Sequence, residues 1–493
     1  MQLRLKTFRL AIITSIAVIV RFVFHILLGR RFGVSWELDC LFVGFTLFGL
    51  SGLANEYFTS LFIPVFNDVR RDNAEESLIF VDVIIKWSVL LSVIVIIFVR
   101  LFDLWVIKII APGFSEESIL LARRLIHILV FALLFFNVQK VLIFTLNALH
   151  YYAIPASIRL LTPVVNIGSL FVLVPFYGVS GIAIGNLFSN ILGTLLLLVF
   201  FHSKTNWLPS LRFYHKKLPE LINKSAKMSL NTIVWGFRDI IIKNFASRLG
   251  EGAITLFSYA EKIINTLIQI SINSIVRVYY SRVSEWISFS KWQKVKDLFI
   301  RTTRVSMALS FMLTSLTIVF LPSLLKILFL GSKFTFSDIK LLSELFNVLL
   351  IYFIVLSFET YLSRVIIAAK KIGIVAINTV TGVLTLYVLL TLLFNRYGIY
   401  SLPFSFMLSQ LIVCIEYYFF TRKLITLNFF ELVSRFSKGF LCALSFLFFG
   451  LVIRKVFPND NIIILGILPV WLGFYYIVAK RFLREERKII LAK

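Results

Sequence analysis

The stretch LIFVDVIIKWSVLLSVIVIIFVRLFDLWV at residues 78–106 decides the fold class. Between Lys86 and Arg100 it holds no charged residue, and it exceeds the roughly 20 apolar residues that a helix needs to cross a bilayer. Similar stretches occupy most of the chain, at approximately 8–28, 38–66, 121–148, 154–175, 179–201, 226–247, 252–280, 304–329, 341–368, 374–394, 400–420, 436–456 and 461–481. The sequence therefore predicts an all-α polytopic membrane protein with about 14 transmembrane helices.

Composition supports lipid as the surroundings of this fold. Hydrophobic residues make up 59% and charged residues 15% of the chain, with a mean hydropathy of +0.92. Soluble globular chains hold roughly 45–50% apolar and about 25% charged residues, so this excess of apolar surface exceeds what one core can bury. The net charge of +26 would indicate nucleic acid in a soluble protein, but here the basic residues are expected to anchor helices at the cytoplasmic face. Membrane lipids, and no nucleic acid, are the expected partners.

Basic residues in alternate loops predict the orientation. With the N-terminus inside, the cytoplasmic segments hold 28 Lys and Arg residues and the outside loops hold 7. This bias places both termini in the cytoplasm of a bacterial inner membrane, and it requires an even number of helices. That requirement supports the span 226–247, which is the most polar of the set. No outside loop exceeds about a dozen residues, which leaves little room for a reaction chamber beyond the bilayer.

The chain resembles itself at an offset near 220. Residues 148–154 align with 368–374, and Tyr177-Gly178-Val179 then falls on Tyr397-Gly398-Ile399 without a gap. An offset of six helices preserves orientation, so the halves are expected to be parallel repeats, a transporter architecture that works by alternating access. The predicted organisation is an N-lobe at 1–201 (helices 1–6), a cytoplasmic linker at 202–225, a C-lobe at 226–420 (helices 7–12), and helices 13 and 14 with a basic tail at 421–493.

Polar side chains recur in the first two helices of each predicted repeat. Each charge inside a membrane costs roughly 2.5–3.5 kcal/mol on insertion scales, so such residues mark cavities, ion pairs or hydrogen bonds between helices. A structural alternative is that a basic side chain near a helix end extends to the lipid headgroups. We favour this alternative for His25, Lys243 and Arg277. The candidate substrate-binding residues are Arg21, Asp39, Glu56, Arg238, Asp239, Glu261, Lys262, Gln269 and Asn273.

Motifs for covalent chemistry are missing from the sequence. We find no Walker loop, no nucleophile elbow, no His-rich metal motif and no Cys/His dyad. The three cysteines have no paired spacing that would indicate a disulfide framework or a zinc site. A transporter without catalytic residues, metal or cofactor is therefore the expectation, with coupling to the membrane potential or to a monovalent cation left open.

Several short stretches resemble the MurJ/MviN branch of the multidrug/oligosaccharidyl-lipid/polysaccharide exporter superfamily. They occur in the family's order, at Gly29–Gly33 with Asp39, Phe62–Phe66, Ala111–Phe114, Leu146–Leu149, Tyr177–Ala183 and Tyr259–Lys262. The resemblance implies fourteen helices in two six-helix lobes, with a cationic cavity alternately open to each side. A monomer is the expected assembly. The resemblance also implies a substrate, an undecaprenyl-pyrophosphate-linked glycan, which is lipid II in this branch. Asp39 and Glu261 would then pair with the cavity cations between transport cycles.

Departures from the family pattern keep alternatives open. Where the family has two arginines in helix 1, this chain has Ala17, Val18 and Phe24, with Arg21 one turn away. Lys262 replaces the arginine of the family's helix 8 motif, and an ammonium lacks the guanidinium fork. A Wzx-like flippase for another polysaccharide precursor therefore competes with a lipid II flippase. A drug or cation antiporter of the same superfamily and a non-transporting envelope scaffold are further alternatives.

Overall fold

The computed structural model describes residues 2–60, 62–329 and 331–456, together with positions 460, 469 and 473. Within these ranges the chain forms helices and loops and no strand. The helices are α1 Gln2–Phe32, α2 Trp36–Ser60, α3 Phe62–Asp72, α4 Ala74–Leu101, α5 Asp103–Ile110, α6 Glu116–Ala148, α7 Ala153–Val172, α8 Val174–Tyr177, α9 Ser180–Thr205, α10 Leu218–Ser247, α11 Ala253–Ser271, α12 Asn273–Ser288, α13 Trp292–Phe329, α14 Phe336–Ala368, α15 Ile372–Tyr397, α16 Ser401–Ile425 and α17 Phe429–Val456. A 3-10 turn, Gly398–Tyr400, joins α15 to α16.

The all-α prediction is confirmed. Each of the first thirteen predicted spans carries a helix, including the polar span 226–247, which lies in α10. Eight helical stretches of the described chain are long and apolar enough to cross a bilayer. The predicted fourteenth helix, 461–481, lies outside the described residues apart from two single positions.

Several predicted helices are divided: the span 154–175 ends as α7 at Val172, with the short helix α8 after it, and two longer spans are divided as well. The span 78–106 ends as α4 at Leu101, and Asp103 starts the separate helix α5. The Asp103 carboxylate, at the first position of α5, accepts a hydrogen bond from Arg123 Nε at 2.5 Å and lies 2.8 Å from His127 Nε2, both on α6. The span 252–280 is interrupted at Ile272, where α11 gives way to α12.

The backbone repeats at the offset found in the sequence. Three pairs of residues, each 220 apart, hold left-handed φ angles at helix ends: His150 (65°) with Lys370 (59°), Gly178 (55°) with Gly398 (52°), and Asn206 (52°) with Thr426 (49°). The hydrogen bonds match as well. The amide of Tyr151 donates to the carbonyl of Leu146 at 2.8 Å, and that of Lys371 donates to the carbonyl of Ile366 at 3.1 Å. Because left-handed angles are uncommon outside glycine, their recurrence supports the internal repeat.

The chain divides into two compact units, one up to Thr255 and one from Leu256 onward. In the first unit α2 packs against α6 and α10, and α1 packs against α7. In the second, α14 packs against α16, and α13 packs against α14 and α17. The predicted N-lobe ends at residue 201 and the predicted C-lobe begins at 226, as the sequence repeat indicates. The contacts instead group α10 with the first unit. The lobe boundaries stay a prediction.

The core of the first unit includes an aromatic cluster where α3, α4 and α6 meet. Phe62 and Phe80 are fully buried and stack with ring centroids 5.6 Å apart.

Asn73 starts α4 by accepting hydrogen bonds from the amides of Glu75 and Glu76, at 2.9 and 3.2 Å. This cap satisfies two of the amides that a helix start leaves without partners, and so fixes where α4 begins.

Candidate substrate-binding site

Asp39 lies near the start of α2, and only 2% of it is exposed. Its carboxylate accepts three hydrogen bonds: from the amide of Gly252 at 2.6 Å, and from the amide and hydroxyl of Thr255 at 2.7 and 2.6 Å. These donors belong to the first turn of α11 and the residue before it. Amides and a hydroxyl thus satisfy the carboxylate in this structure, and its pairing with a cavity cation between transport cycles stays a prediction.

Asp239 on α10 faces two different partners. One carboxylate oxygen accepts the hydroxyl of Thr46 on α2 at 2.6 Å, and the other bonds the ammonium of Lys243 one turn along α10. Lys243 is 4% exposed, so the prediction that it reaches outward to the headgroups is wrong. Burying this ammonium is tolerable because its countercharge is held beside it.

Arg238 is buried next to Asp239, with 5% of its surface exposed. The guanidinium carbon lies 4.1 Å from the ring centroid of Trp235, one turn earlier on α10. A planar guanidinium stacked on an indole keeps its fixed charge. The role of Arg238 as a substrate-binding residue stays a prediction.

A second set of contacts holds the same end of α10. The amide of Gly113 donates to the Ser247 hydroxyl at 3.2 Å, and the Asn244 side chain donates to the carbonyl of Ile109 at 2.6 Å. A side chain at Gly113 would place its Cβ 2.2 Å from the Ser247 carbonyl oxygen, so glycine is required for this approach. The loop after α5 thus fastens α10 to the first unit.

The two remaining candidates of the first unit are less defined. Arg21 lies exposed on α1, which packs against α7. Glu56 lies on α2, and its side chain falls outside the described part of the structure. Their roles as substrate-binding residues stay predictions.

Four candidates belong to the second unit. Glu261 and Lys262 are half-buried neighbours on α11, and Gln269 is exposed two turns further along that helix. Asn273 is half-buried at the start of α12. The polar stripe that the sequence predicts is shared between α11 and α12, which meet at Ile272. In the described residues no cluster of three or more His, Cys, Asp or Glu is placed to hold a metal ion.

Sequence reasoning missed the partners of both aspartates. Thr46, Gly252 and Thr255 are neutral, and none stands out against the apolar background. A usable signal was present for one of them. Gly250 and Gly252 stand at the start of the predicted span 252–280, and a helix start needs acceptors for its amides. In the structure both glycines have left-handed φ angles, 102° and 83°. An unpaired acid such as Asp39 is the natural candidate for that role.

The family model of the lipid II flippase MurJ matches residues 30–460. The chain belongs to this family. A probable lipid II flippase MurJ of Buchnera aphidicola subsp. Schizaphis graminum is 26% identical over 356 residues, which cover 70% of this chain and 69% of that protein. A probable lipid II flippase MurJ of Thermotoga maritima is 24% identical over 369 residues, covering 74% of both chains. Membership in a flippase family confirms the prediction of a transporter rather than an enzyme.

Solved structures support the same fold. A lipid II flippase MurJ in an inward closed conformation aligns with a TM-score of 0.83 and 19% identity, over 97% of this chain and 99% of that one. An inward-facing multidrug resistance MATE family transporter of the same superfamily aligns with a TM-score of 0.66 and 16% identity, over 83% of this chain and 98% of that one. The MurJ-like fold predicted from the sequence is thereby confirmed.

Proposed function

We propose that this protein moves lipid II from the inner to the outer leaflet of the cytoplasmic membrane, for peptidoglycan synthesis. The observation that carries the proposal is the match of residues 30–460 to the family of lipid II flippases. The physical need is clear, because a pyrophosphate headgroup cannot cross hydrocarbon unaided. Arg238 on α10 and Lys262 on α11 supply positive charge within the helices to attract it.

A second candidate function is the flipping of another lipid-linked glycan, as Wzx-like proteins do. The helix 1 residues Ala17, Val18 and Phe24 favour it, because the family pattern at these places includes two arginines. A MATE-like antiporter receives support from the fold alone.

The deciding experiment uses cells depleted of their own lipid II flippases. The protein is expressed there, and labelled lipid II is exposed to an externally added enzyme that modifies only precursor in the outer leaflet. Modification at the rate of a control flippase supports the proposal. Failure with lipid II, combined with modification of another lipid-linked glycan, would assign the second function. Failure with both, at normal protein levels, would favour the scaffold alternative.

We propose an inner-membrane orientation with both termini in the cytoplasm. The support is the excess of Lys and Arg in the segments on that side. Reporter fusions after Lys217 and Lys296 are expected to report cytoplasm, and fusions near Phe114 and Gly331 to report the outside. A reporter at Lys296 that is active only outside would reverse the orientation.

Energy coupling and assembly complete the proposal. We expect transport to draw on the membrane potential or on a monovalent cation, since nothing in the sequence indicates a nucleotide-binding motif. We also expect the protein to act as a monomer. Flipping in proteoliposomes with an imposed potential, compared with an imposed cation gradient, separates the two sources. Transport that requires neither would remove coupling from the proposal.

A further inference from the structure

The linker between α9 and α10 is held firmly against α4. We call residues 207–215 the linker strap. Asp82 of α4, 2% exposed, accepts hydrogen bonds from the amide and hydroxyl of Ser210 at 3.1 and 2.6 Å. Lys86, one turn further along α4, bonds Asp82 at 2.7 Å and donates to the carbonyls of Ser210 and Arg212. A buried carboxylate and an ammonium therefore hold the backbone of the strap at its middle.

Further contacts extend this attachment along the strap. The indole N–H of Trp87 donates to the carbonyl of Phe213 at 3.0 Å. The His215 ring packs against Phe80 with centroids 4.9 Å apart, and its side chain is 1% exposed. The strap is thus fastened from Ser210 to His215, and its conformation is set by the first unit itself.

The outward side of this fastened segment is apolar. Four large hydrophobic side chains are exposed: Leu208 (71%), Leu211 (95%), Phe213 (66%) and Tyr214 (66%). A floppy loop could hide such side chains by collapsing on itself, but the bonds to Asp82, Lys86 and Trp87 prevent that. Apolar surface held out in this way marks a contact with lipid or with a partner protein.

The depth of the strap favours lipid. In the proposed orientation the end of α4 at Leu101 faces outward, and the charged residues Arg100 and Asp103, on either side of Leu101 and Phe102, place the outer boundary of the hydrocarbon there. A hydrocarbon core takes about 20 helical residues, so its inner boundary falls near residue 82. Asp82, Lys86 and Trp87 are the residues that hold the strap. The strap therefore lies at the level of the cytoplasmic headgroups, where exposed Leu and Phe side chains reach the acyl chains and Trp and Tyr are typical residues.

The charge of the segment fits an anionic surface. From His202 to Lys217 the sequence holds Lys204, Arg212, Lys216 and Lys217 and no acidic residue. Arg212 lies 3.7 Å from Glu76 and is itself 62% exposed, and Lys217 pairs with Glu220. Lys204 and Lys216 are exposed.

We propose that the linker strap is an interfacial anchor that binds anionic phospholipid of the cytoplasmic leaflet. Leu208, Leu211 and Phe213 insert at the acyl-chain boundary, while Arg212 and Lys216 bind headgroup phosphates. The anchor is independent of which glycan the protein flips. Because the strap joins α9 to α10, it ties that connection to the membrane surface and makes it responsive to lipid charge.

The test places a fluorescent probe on the strap of the full-length protein in lipid nanodiscs. Leu211→Cys is labelled with bimane in a Cys442→Ser background, since the other cysteines, Cys40 and Cys414, are buried. Leu211 is 95% exposed, so this change removes no internal contact. The matched control is Lys294→Cys, an exposed position in the first turn of α13.

Phospholipid brominated in its acyl chains is expected to quench the probe at residue 211, and aqueous iodide to quench the probe at residue 294. Replacing phosphatidylglycerol by phosphatidylcholine is expected to expose residue 211 to iodide. Arg212→Gln and Lys216→Gln should each lower, by about fivefold, the ratio of molecules with the strap inserted in the bilayer to molecules with the strap in water, in anionic nanodiscs. Equal iodide quenching at residues 211 and 294 in every lipid overturns the anchor. Insertion that ignores lipid charge overturns the anionic preference, and burial of residue 211 only after cytosolic protein is added assigns the surface to a protein partner.

Discussion

The Asp39 carboxylate and the Thr255 hydroxyl lie 2.6 Å apart, although 216 residues separate them in the sequence. With the amides of Gly252 and Thr255, this contact makes Asp39 of α2 the acceptor for the first turn of α11. A buried carboxylate with three donors is well satisfied, and each charge-assisted bond contributes about 1.5–3 kcal/mol. Any conformation that moves α2 away from the start of α11 must replace these bonds.

Removing the Thr255 hydroxyl is expected to destabilise the first unit. Thr255→Val keeps the shape of the side chain but leaves Asp39 with two donors, at a cost of about 1–3 kcal/mol. The measurement is the melting temperature of the purified protein in detergent. Thr266→Val is the matched control, because its hydroxyl donates only to the carbonyl of Lys262 within the same helix at 2.9 Å. Equal melting temperatures for the two variants would contradict the role of Thr255.

Gly113→Ala tests the second attachment of α10. The new Cβ would lie 2.2 Å from the Ser247 carbonyl oxygen, so the loop or the helix end must shift, at a cost of about 1–3 kcal/mol. Faster hydrogen exchange at residues 244–250 is the expected readout. Gly168→Ala is the control, since nothing lies within 4 Å of its Cβ and alanine favours a helix. Unchanged exchange in Gly113→Ala would show that the loop yields without cost.

Lys262→Ala is expected to abolish transport while expression and membrane insertion remain normal. The loss should be on the order of tenfold or more, because one charge-assisted bond to the substrate is worth about 1.5–3 kcal/mol. Lys262→Arg restores the residue of the family motif and should keep most of the activity. The readout is exposure of labelled lipid II in depleted cells, with Lys294→Ala as an exposed control. Normal transport by Lys262→Ala would remove this residue from the site.

Arg21 is tested by moving its charge. Arg21→Ala is expected to cripple flipping, and Arg21→Ala combined with Val18→Arg should restore part of it. Residues 18 and 21 are three apart, on nearly the same face of α1 and about 4.5 Å apart along its axis, so either arginine can reach a common phosphate. The same lipid II assay measures both variants. An Arg21→Ala protein with the normal rate would shift weight towards a different substrate.

His215 predicts a pH dependence of the linker strap. Burial lowers the pKa of His215 below the ordinary 6.5, against the opposing effect of Glu76 and together with Lys216, Arg212 and Lys217. A group with a lowered pKa stays neutral when folded, so the detached strap takes up protons that the attached strap does not. Stability is therefore complete above about pH 6.5 and falls as the pH drops below it.

The measurement for His215 is hydrogen exchange of the strap between about pH 7.5 and 5.5, corrected for the intrinsic pH dependence of exchange. Protection should fall over this range in the wild-type protein. His215→Gln carries no titrating group and is expected to show a flat response. A strap that loses protection equally in both proteins would assign the pH dependence to another group.

The fold could be predicted because its determinants are local. Each membrane helix is specified by its own apolar run, as at residues 78–106, and basic residues beside the runs indicate the orientation. The repeat could also be predicted, since Tyr177-Gly178 and Tyr397-Gly398 preserve both sequence and backbone angles. The breaks at Phe102 and Ile272 were missed, although polar residues lie close to both positions in the sequence.

The candidate site could be predicted only in its choice of charged residues. A charge in a membrane helix is conspicuous in the sequence, and so Asp39, Arg238 and Asp239 were all identified. Their partners depend on which helix faces meet after packing, across separations of up to 216 residues. The sequence by itself thus determined the membrane fold, its repeat and its family. Only the tertiary structure decided that Asp39 bonds the start of α11, that Lys243 is buried beside Asp239, and that Asp82 holds the linker strap. These hydrogen bonds form only between groups that packing brings together, and the sequence of one helix does not specify its neighbours.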